Sequence, residues 1–194
     1  MPQQVPRPVT ERRLRSLAEL VRHRPPAAGS TRVVALDGRS GSGKTTLAGR
    51  LAPLLGDVPV LHLDDLYPGW DGLEQAPVRL REWVLEPLAA GRPARYRRWD
   101  WAAGEYAEWH DVPAGGVLVV EGVGSGAAAC APYLTALVWL EAPRELRFAR
   151  GIARDGEAYR PHWERWAAQE DAYLARDRPR DRADVLLSTG PDAA

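Results

Sequence analysis

The chain is poor in several residue types, and each shortage limits what the protein can be. Its 194 residues include one cysteine, Cys130, so no disulfide can form within the chain. We therefore expect a reducing compartment such as the cytoplasm. The acidic and basic residues balance at 26 each, so the chain lacks the basic excess of proteins that bind nucleic acid or anionic membranes. No apolar run approaches the roughly 20 residues of a membrane span.

Lysine is the scarcest charged residue: Lys44 is the only one, and arginine supplies every other basic side chain. It lies in residues 38–45, GRSGSGKT, which match G-x-x-x-x-G-K-[ST] at each fixed position. A loop that encloses phosphates needs a compact charge on a flexible stem, and a planar guanidinium does not replace it. The sequence therefore predicts a nucleoside triphosphate site in which Lys44 neutralises the β- and γ-phosphates and Thr45 ligates Mg²⁺. The predicted nucleotide-binding residues of this loop are Gly38, Ser40, Gly41, Ser42, Gly43, Lys44, Thr45 and Thr46.

Short apolar segments alternate with helical patterns along the chain, which predicts an α/β fold with a five-stranded parallel sheet and helices on both faces. The predicted strands are 33–36, 58–63, 117–120, 137–140 and 185–187. The predicted helices are 10–23, 45–55, 77–90, 143–154 and 162–175. Residues 1–9 are expected to form a loose tail, and the region 95–109 an irregular segment or a hairpin. We divide the chain into an N-terminal tail and helix, 1–30, and one domain, 31–194.

Acidic residues follow two predicted strands, at the edge of a parallel sheet where ligands bind. Asp64 and Asp65 follow the second strand. One of them could take a proton from an acceptor hydroxyl while the other holds a metal ion or its waters, although such a pair also caps helices. Glu121 ends the third strand and resembles the acid that reaches Mg²⁺ in nucleotide-binding proteins, with a structural cap as the alternative.

Arginines repeat at three- and four-residue spacing near the predicted helix 143–154, which places them along one side of that helix. They are Arg144, Arg147, Arg150 and Arg154. Such arginines can stabilise the charge on a transferring phosphoryl group. In a chain so rich in arginine, the simpler alternative is that these side chains only cover an exposed face of the helix.

Eight tryptophans are many for this length. Trp99 and Trp101 flank Asp100 in a weakly patterned segment, with Trp70 and Trp109 nearby, and the flat rings of these residues could stack on a planar acceptor or serve only packing. Asp71 or Asp100 could then bind the hydroxyl or amine groups of that acceptor.

Four segments together resemble the uridine kinase branch of the P-loop kinases, which includes phosphoribulokinase and bacterial pantothenate kinase. They are GRSGSGKTT at 38–46, LDDLY at 63–67, EG at 121–122 and RFARGIARD at 147–155. The resemblance covers about residues 32–189. It implies a three-layer P-loop fold that uses ATP and Mg²⁺ to phosphorylate a hydroxyl group of a small molecule. Two departures are Gly151, where an arginine is common, and a short segment after Tyr67 without a clear ribose-binding aspartate.

The resemblance also implies roles for individual residues. Asp64 would be the catalytic base, and Arg150 and Arg154 would belong to a lid at about 150–162 that contacts the phosphates. Thr189 would flank the adenine. The implied metal site comprises Thr45, Asp64 and Glu121. The implied acceptor site comprises Asp65, Tyr67, Asp71, Trp99, Asp100 and Trp101.

The acceptor is open at this stage. Uridine or cytidine is the first candidate, and a vitamin precursor, a sugar or an antibiotic is the alternative. A nucleotide-binding regulatory protein without catalysis is a third reading. Guanine recognition through Asn-Lys-x-Asp is excluded, because it needs a second lysine. The sequence does not predict the oligomeric state.

Overall fold

The computed structural model describes residues 5–190, in which six parallel strands form one sheet. The strands, numbered along the chain, are β1 (Arg7–Pro8), β2 (Thr31–Asp37), β3 (Val60–His62), β4 (Ala94–Asp100), β5 (Glu105–Val112), β6 (Gly116–Glu121), β7 (Ala136–Glu141) and β8 (Val185–Ser188). The main sheet has the order β1-β8-β7-β2-β6-β3. The remaining strands, β4 and β5, form a separate antiparallel hairpin with a register shift between Arg97 and Trp99.

Helices cover both faces of the sheet. They are α1 (Glu11–His23), α2 (Lys44–Leu55), α3 (Gln75–Arg79), α4 (Glu86–Ala89), α5 (Arg144–Asp155), α6 (Arg160–Asp177) and α7 (Pro179–Arg182). A π-helical stretch, Leu80–Leu85, joins α3 to α4, so the predicted helix 77–90 is one continuous helical segment. In the described part of the chain, no helix is both long and apolar enough to cross a membrane.

Strand β2 shows how the two layers of core arise. Its side chains alternate between the faces, so Val33 packs with α3, α4 and the hairpin while Val34 and Leu36 pack with α1 and α2. All of these positions in β2 are fully buried. The short apolar runs of the sequence are therefore strands covered on both faces, which confirms the predicted three-layer α/β fold.

The sheet has one strand more than predicted, because Arg7 and Pro8 are not part of a loose tail. They pair in parallel with the end of β8, and the N–H of Val9 donates to the carbonyl of Ser188 at 3.1 Å. A two-residue strand held by backbone hydrogen bonds has no side-chain periodicity, so the sequence pattern does not reveal it. Residues 1–4 lie outside the described residues. The predicted helix start is correct, since Thr10 accepts a hydrogen bond from the N–H of Arg13.

Candidate active site

The carboxyl ends of β2, β3 and β6 face a cavity of about 990 Å³. Most of the predicted site residues line it: Ser40, Gly41, Gly43, Lys44, Thr45, Thr46, Asp64, Asp65, Tyr67, Trp99, Trp101, Glu121, Arg150 and Arg154. The other predicted residues, which do not line it, are Gly38, Ser42, Asp71, Asp100 and Thr189. Segments that are far apart in the sequence thus line the same cavity, because each follows a strand of the parallel sheet.

The loop between β2 and α2 is wrapped around the Lys44 side chain. The ammonium donates to the carbonyl oxygens of Gly38 at 2.8 Å and Arg39 at 3.0 Å, and only 7% of the residue is exposed. Gly43, with φ +93°, immediately precedes α2, a conformation that favours glycine. The first-turn N–H groups of a helix have no acceptor within the helix and carry its positive dipole end. This arrangement suits an anion at the mouth of the loop.

A hydrogen-bonded trio of Thr45, Glu121 and His62 forms the floor of the cavity. One carboxylate oxygen of Glu121, Oε1, accepts from the Thr45 hydroxyl at 3.0 Å and lies 2.7 Å from Nδ1 of His62. The hydrogen bond with Glu121 raises the pKa of His62 above its ordinary value, although burial opposes this. Burial raises the pKa of Glu121, but the His62 hydrogen bond and the Lys44 charge outweigh it, so the pKa is lowered.

Asp64 and Asp65 follow β3 in a short 3₁₀ turn and have different surroundings. Oδ2 of Asp64 lies 3.9 Å from Nη1 of Arg154, and the indole of Trp101 donates to the Asp64 carbonyl at 3.0 Å. The Asp65 carboxylate is half-buried and accepts from the Tyr96 hydroxyl at 3.4 Å. Burial raises the pKa of Asp65, although nearby positive charges lower it. Asp64 therefore faces the predicted lid arginine, and Asp65 faces the hairpin.

The loop between β2 and α2 is held from outside by side chains of the α5–α6 region, which converge on Ser40. Glu170 accepts from the Ser40 N–H at 2.6 Å, and the Tyr159 hydroxyl lies 2.9 Å from Ser40 Oγ. Arg147 donates to the Ser40 carbonyl at 3.3 Å. Burial raises the pKa of Glu170 above its ordinary value, against the lowering effect of its hydrogen bond from Ser40.

The second predicted lid arginine, Arg150, joins the loop to the end of β8. Its guanidinium donates to the Thr189 hydroxyl at 2.8 Å, the Thr189 carbonyl at 2.7 Å and the Gly41 carbonyl at 3.2 Å. The Thr189 hydroxyl in turn donates to the Ser42 carbonyl at 2.7 Å. Arg150 lines the cavity while its hydrogen bonds hold the loop and the segment after β8 together.

An aromatic wall lines one part of the cavity. Trp70 stacks on His162 with ring centroids 4.4 Å apart and an interplanar angle of 4°. It also contacts Trp101 at 5.0 Å and meets Trp166 edge-on at 6.2 Å. Trp70 thereby joins the segment after β3, the hairpin and α6 in one cluster. Tyr67 packs against Trp166, and its hydroxyl donates to the Val123 carbonyl at 2.8 Å.

Two predicted acceptor-binding carboxylates do not line the cavity and are bonded to nearby protein groups. Asp71 forms a two-point ion pair with Arg165 on the surface of α6. Asp100 accepts from the N–H groups of Ala102 at 2.9 Å and Ala103 at 3.0 Å at the hairpin turn. Both are short polar side chains beside a turn, where carboxylates often bind nearby groups. The sequence pattern could not distinguish these partners from a ligand.

Some cavity residues had no predicted role in the site. They are His62, Arg98, Val123, Gly151, Tyr159 and Trp166, whereas Trp70, which also lines the cavity, was one of the loop tryptophans predicted to stack or pack. His62 was detectable in principle, because it precedes Asp64 by two residues at the end of a strand. The residues from α5 and α6 were not, because their approach to the cavity depends on how these helices pack against the loop.

The residues fit a magnesium nucleotide. The Thr45 hydroxyl and the Glu121 carboxylate are oxygen donors, which Mg²⁺ prefers. Within residues 5–190, no group of three or more His, Cys, Asp or Glu side chains could hold a metal ion by itself. Mg²⁺ is usually bound by one or two protein oxygens together with phosphates and waters. The cavity volume is within the upper range of ligand sites.

The chain resembles solved P-loop kinases in fold. A possible uridine kinase from Bacillus stearothermophilus is 23% identical, with a TM-score of 0.65 over 91% of this chain and 97% of that one. A "putative fructose transport system kinase" from a Silicibacter species is 21% identical, with a TM-score of 0.54 over 90% of this chain and 98% of that one. Both are of the uridine kinase-like type, so the resemblance indicated by the four segments is confirmed at the level of the fold. The sequence matches no protein-family model and no curated protein.

Proposed function

We propose that this protein is an ATP-dependent kinase that transfers the γ-phosphate to a hydroxyl group of a small molecule. The observation that carries this proposal is the shared cavity, in which Lys44 and Thr45 face the same space as Asp64 and Arg154. A phosphate donor site and a carboxylate that can accept a proton are the two parts that phosphoryl transfer to a hydroxyl requires.

One set of residues would bind the nucleotide, and Asp64 would act on the acceptor. The loop N–H groups and Lys44 hold the triphosphate, and Thr45 and Glu121 would hold Mg²⁺, which supplies positive charge to the phosphate oxygens when bound. Asp64 accepts the proton of the acceptor hydroxyl while the oxygen of that hydroxyl forms a bond to the γ-phosphorus. The bond from the γ-phosphorus to the β,γ-bridging oxygen breaks, and ADP leaves. Asp64 also stays a predicted metal ligand.

Arg154 is the group that we expect to stabilise the transferring phosphoryl group. Its guanidinium approaches Asp64 from α5, and both side chains are more than half exposed. A mobile arginine at this place can move from the carboxylate to the phosphoryl oxygens as charge develops there. Arg150, by contrast, is engaged with Thr189 and the loop, so we propose that it positions the nucleotide site.

The aromatic wall supports an acceptor with a planar ring, and a nucleoside such as uridine or cytidine is our first candidate. Trp99 and Trp101 offer rings for stacking. Asp65 forms no ion pair with any described residue, so its carboxylate is available to an N–H or O–H group of the acceptor. Asp71, the nearest candidate for the ribose-binding aspartate of the family that the sequence resembles, is paired with Arg165 instead, which favours a second class of acceptor, a ring-bearing hydroxyl metabolite without a ribose diol.

An ADP-release assay with a library of nucleosides, vitamins and sugars tests the proposal. We expect one acceptor class to stimulate ADP release, and Lys44→Ala and Asp64→Asn each to abolish that stimulation. The exposed hairpin variant Asp111→Asn is the matched control and should keep wild-type turnover. Basal hydrolysis that no acceptor raises would instead support a nucleotide-binding protein that is not a kinase, and full stimulated turnover in Asp64→Asn would contradict the role of Asp64 as the base.

A further inference from the structure

His62 contacts the acid at the end of the neighbouring strand. It is the register partner of Glu121 in the parallel pair β3–β6, so both side chains project from the same face of the sheet. The imidazole Nδ1 lies 2.7 Å from Glu121 Oε1. This contact does not follow from any of the four sequence motifs, because His62 lies just before the segment 63–67.

The hydrogen bonds that Glu121 accepts from described residues all go to one of its two carboxylate oxygens. Thr45 and His62 are the described residues that bond to this carboxylate, and both bond to Oε1. Glu121 is only 4% exposed and lines the cavity. A buried carboxylate bonded at one oxygen by two donors has a defined orientation, with its second oxygen left for another partner.

The Thr45 hydroxyl is oriented through the same carboxylate. It has one proton, which it donates to Glu121, so its two lone pairs point elsewhere. Without His62, Glu121 would keep one hydrogen-bond donor in place of two, and both the carboxylate and the hydroxyl would be free to rotate. Groups that hydrogen-bond to metal ligands orient those ligands, and losing one typically lowers metal affinity 10- to 100-fold.

We propose that His62 is a positioning residue for the magnesium nucleotide: it holds the Glu121 carboxylate and, through it, the Thr45 hydroxyl in the orientation that Mg²⁺ requires. The inference rests on the proposed function, since it assumes that the loop binds a magnesium nucleotide. The alternative is that His62 only satisfies a buried carboxylate and contributes to stability alone.

Calorimetric titration with ADP distinguishes these roles without measuring catalysis. Each protein is titrated once in the presence of Mg²⁺ and once in the presence of a chelator. The variants are His62→Ala, which removes the hydrogen bond, and His62→Asn, whose amide can donate from about the position of Nδ1. His23→Ala is the matched control, because that exposed histidine of α1 bonds to the Glu19 carbonyl and to no other group within residues 5–190. Thermal unfolding of each variant verifies that it is folded.

We expect His62→Ala to raise the Kd of ADP about tenfold or more with Mg²⁺ and by less than about twofold in chelator. His62→Asn should recover most of the affinity, and His23→Ala should match the wild type. An equal loss with and without Mg²⁺, no loss at all, or no recovery with asparagine would each overturn the proposal. If this pattern appears but no acceptor stimulates ADP release, the kinase function fails while the role of His62 stands. A wild-type protein that binds no nucleotide overturns both.

Discussion

Asp37 is a buried carboxylate at the end of β2 that joins two loops of the site. Oδ1 accepts from the N–H groups of Gly38 at 2.7 Å and Gly124 at 3.2 Å. Oδ2 accepts from the Gly126 N–H at 2.9 Å and from the Tyr173 hydroxyl at 2.5 Å. Burial raises the pKa of Asp37, and the Tyr173 hydrogen bond is the largest of the effects that lower it. One residue thereby ties the phosphate loop to the loop after Glu121 and to α6.

We predict a pH-dependent loss of stability in Tyr173→Phe. A carboxyl whose pKa is raised by folding stabilises the folded state less as the pH rises from its unfolded to its folded pKa. Removing the tyrosine hydrogen bond disfavours the ionised carboxylate and raises this pKa further. We therefore expect a loss of about 1–3 kcal/mol at neutral pH that becomes smaller as the pH falls toward about 4.

Urea unfolding at several pH values measures this effect. The matched control is Tyr133→Phe, because the half-buried Tyr133 makes no hydrogen bond through its hydroxyl to any described residue. That variant should lose little stability, without pH dependence. A Tyr173→Phe loss that is equal at all pH values would mean that Asp37 does not change its ionisation in this range.

At the scale of elements, α5 carries a glycine because another element passes close to its surface. A Cβ atom at Gly151 would lie 2.4 Å from the Tyr159 ring. Tyr159 belongs to the short 3₁₀ turn Glu157–Tyr159 between α5 and α6, and its hydroxyl contacts Ser40 of the loop. The departure at Gly151 from the related kinases, where an arginine is common, is thus explained by the packing of this tyrosine.

We predict opposite effects for two Gly→Ala substitutions in helices. Gly49→Ala in α2 should raise the free energy of unfolding by about 0.5–1 kcal/mol, because alanine favours helix and the added Cβ meets nothing within 4 Å. Gly151→Ala should lower it by about 1–3 kcal/mol, because the Cβ displaces the Tyr159 ring. Chemical denaturation of both variants checks this, and stabilisation by Gly151→Ala would contradict the described packing.

At the scale of the whole molecule, the sheet order assembles the site. Strands β2, β6 and β3 lie side by side, so their carboxyl ends bring Lys44, His62 and Glu121 to one edge. Strand β8 ends on the other side of β7 and places Thr189 beside the loop. Ligands of open parallel sheets bind at this edge because the loops that follow the strands all lie there.

We predict that Mg·ADP stabilises the whole chain against heat. At a ligand concentration of about 100 times Kd, binding adds about 2.7 kcal/mol, which for a protein of this size raises Tm by about 5–10 °C. Lys44→Ala should lose most of this shift, because its ammonium supplies the charge inside the loop. The control is Arg50→Ala, whose exposed ion pair with Glu11 lies on the far part of α2. An unchanged shift in Lys44→Ala would contradict the assigned phosphate site.

The parts of the fold and site that the sequence predicts are those with a local physical cause. The loop between β2 and α2 was recognised because Lys44 and its glycines are neighbours in one short segment, and its phosphate role stays a prediction. Five of the six strands of the main sheet were identified because each leaves a short apolar run in the sequence. Strand β1 was missed because it consists of two residues held by backbone hydrogen bonds. Asp71 was grouped with the cavity residues but does not line the cavity, since a carboxylate in a turn looks the same in the sequence whether a ligand or Arg165 is its partner.

The sequence by itself determined the layered α/β fold, the phosphate loop and the order of the motifs along the chain, because these depend on periodicity and on short segments. Only the tertiary structure decided which side chains share the cavity. His62 meets Glu121 through the parallel register of β3 and β6, and Trp70 meets His162 through the packing of α6. Such contacts depend on the relative positions of distant elements, which no local pattern encodes.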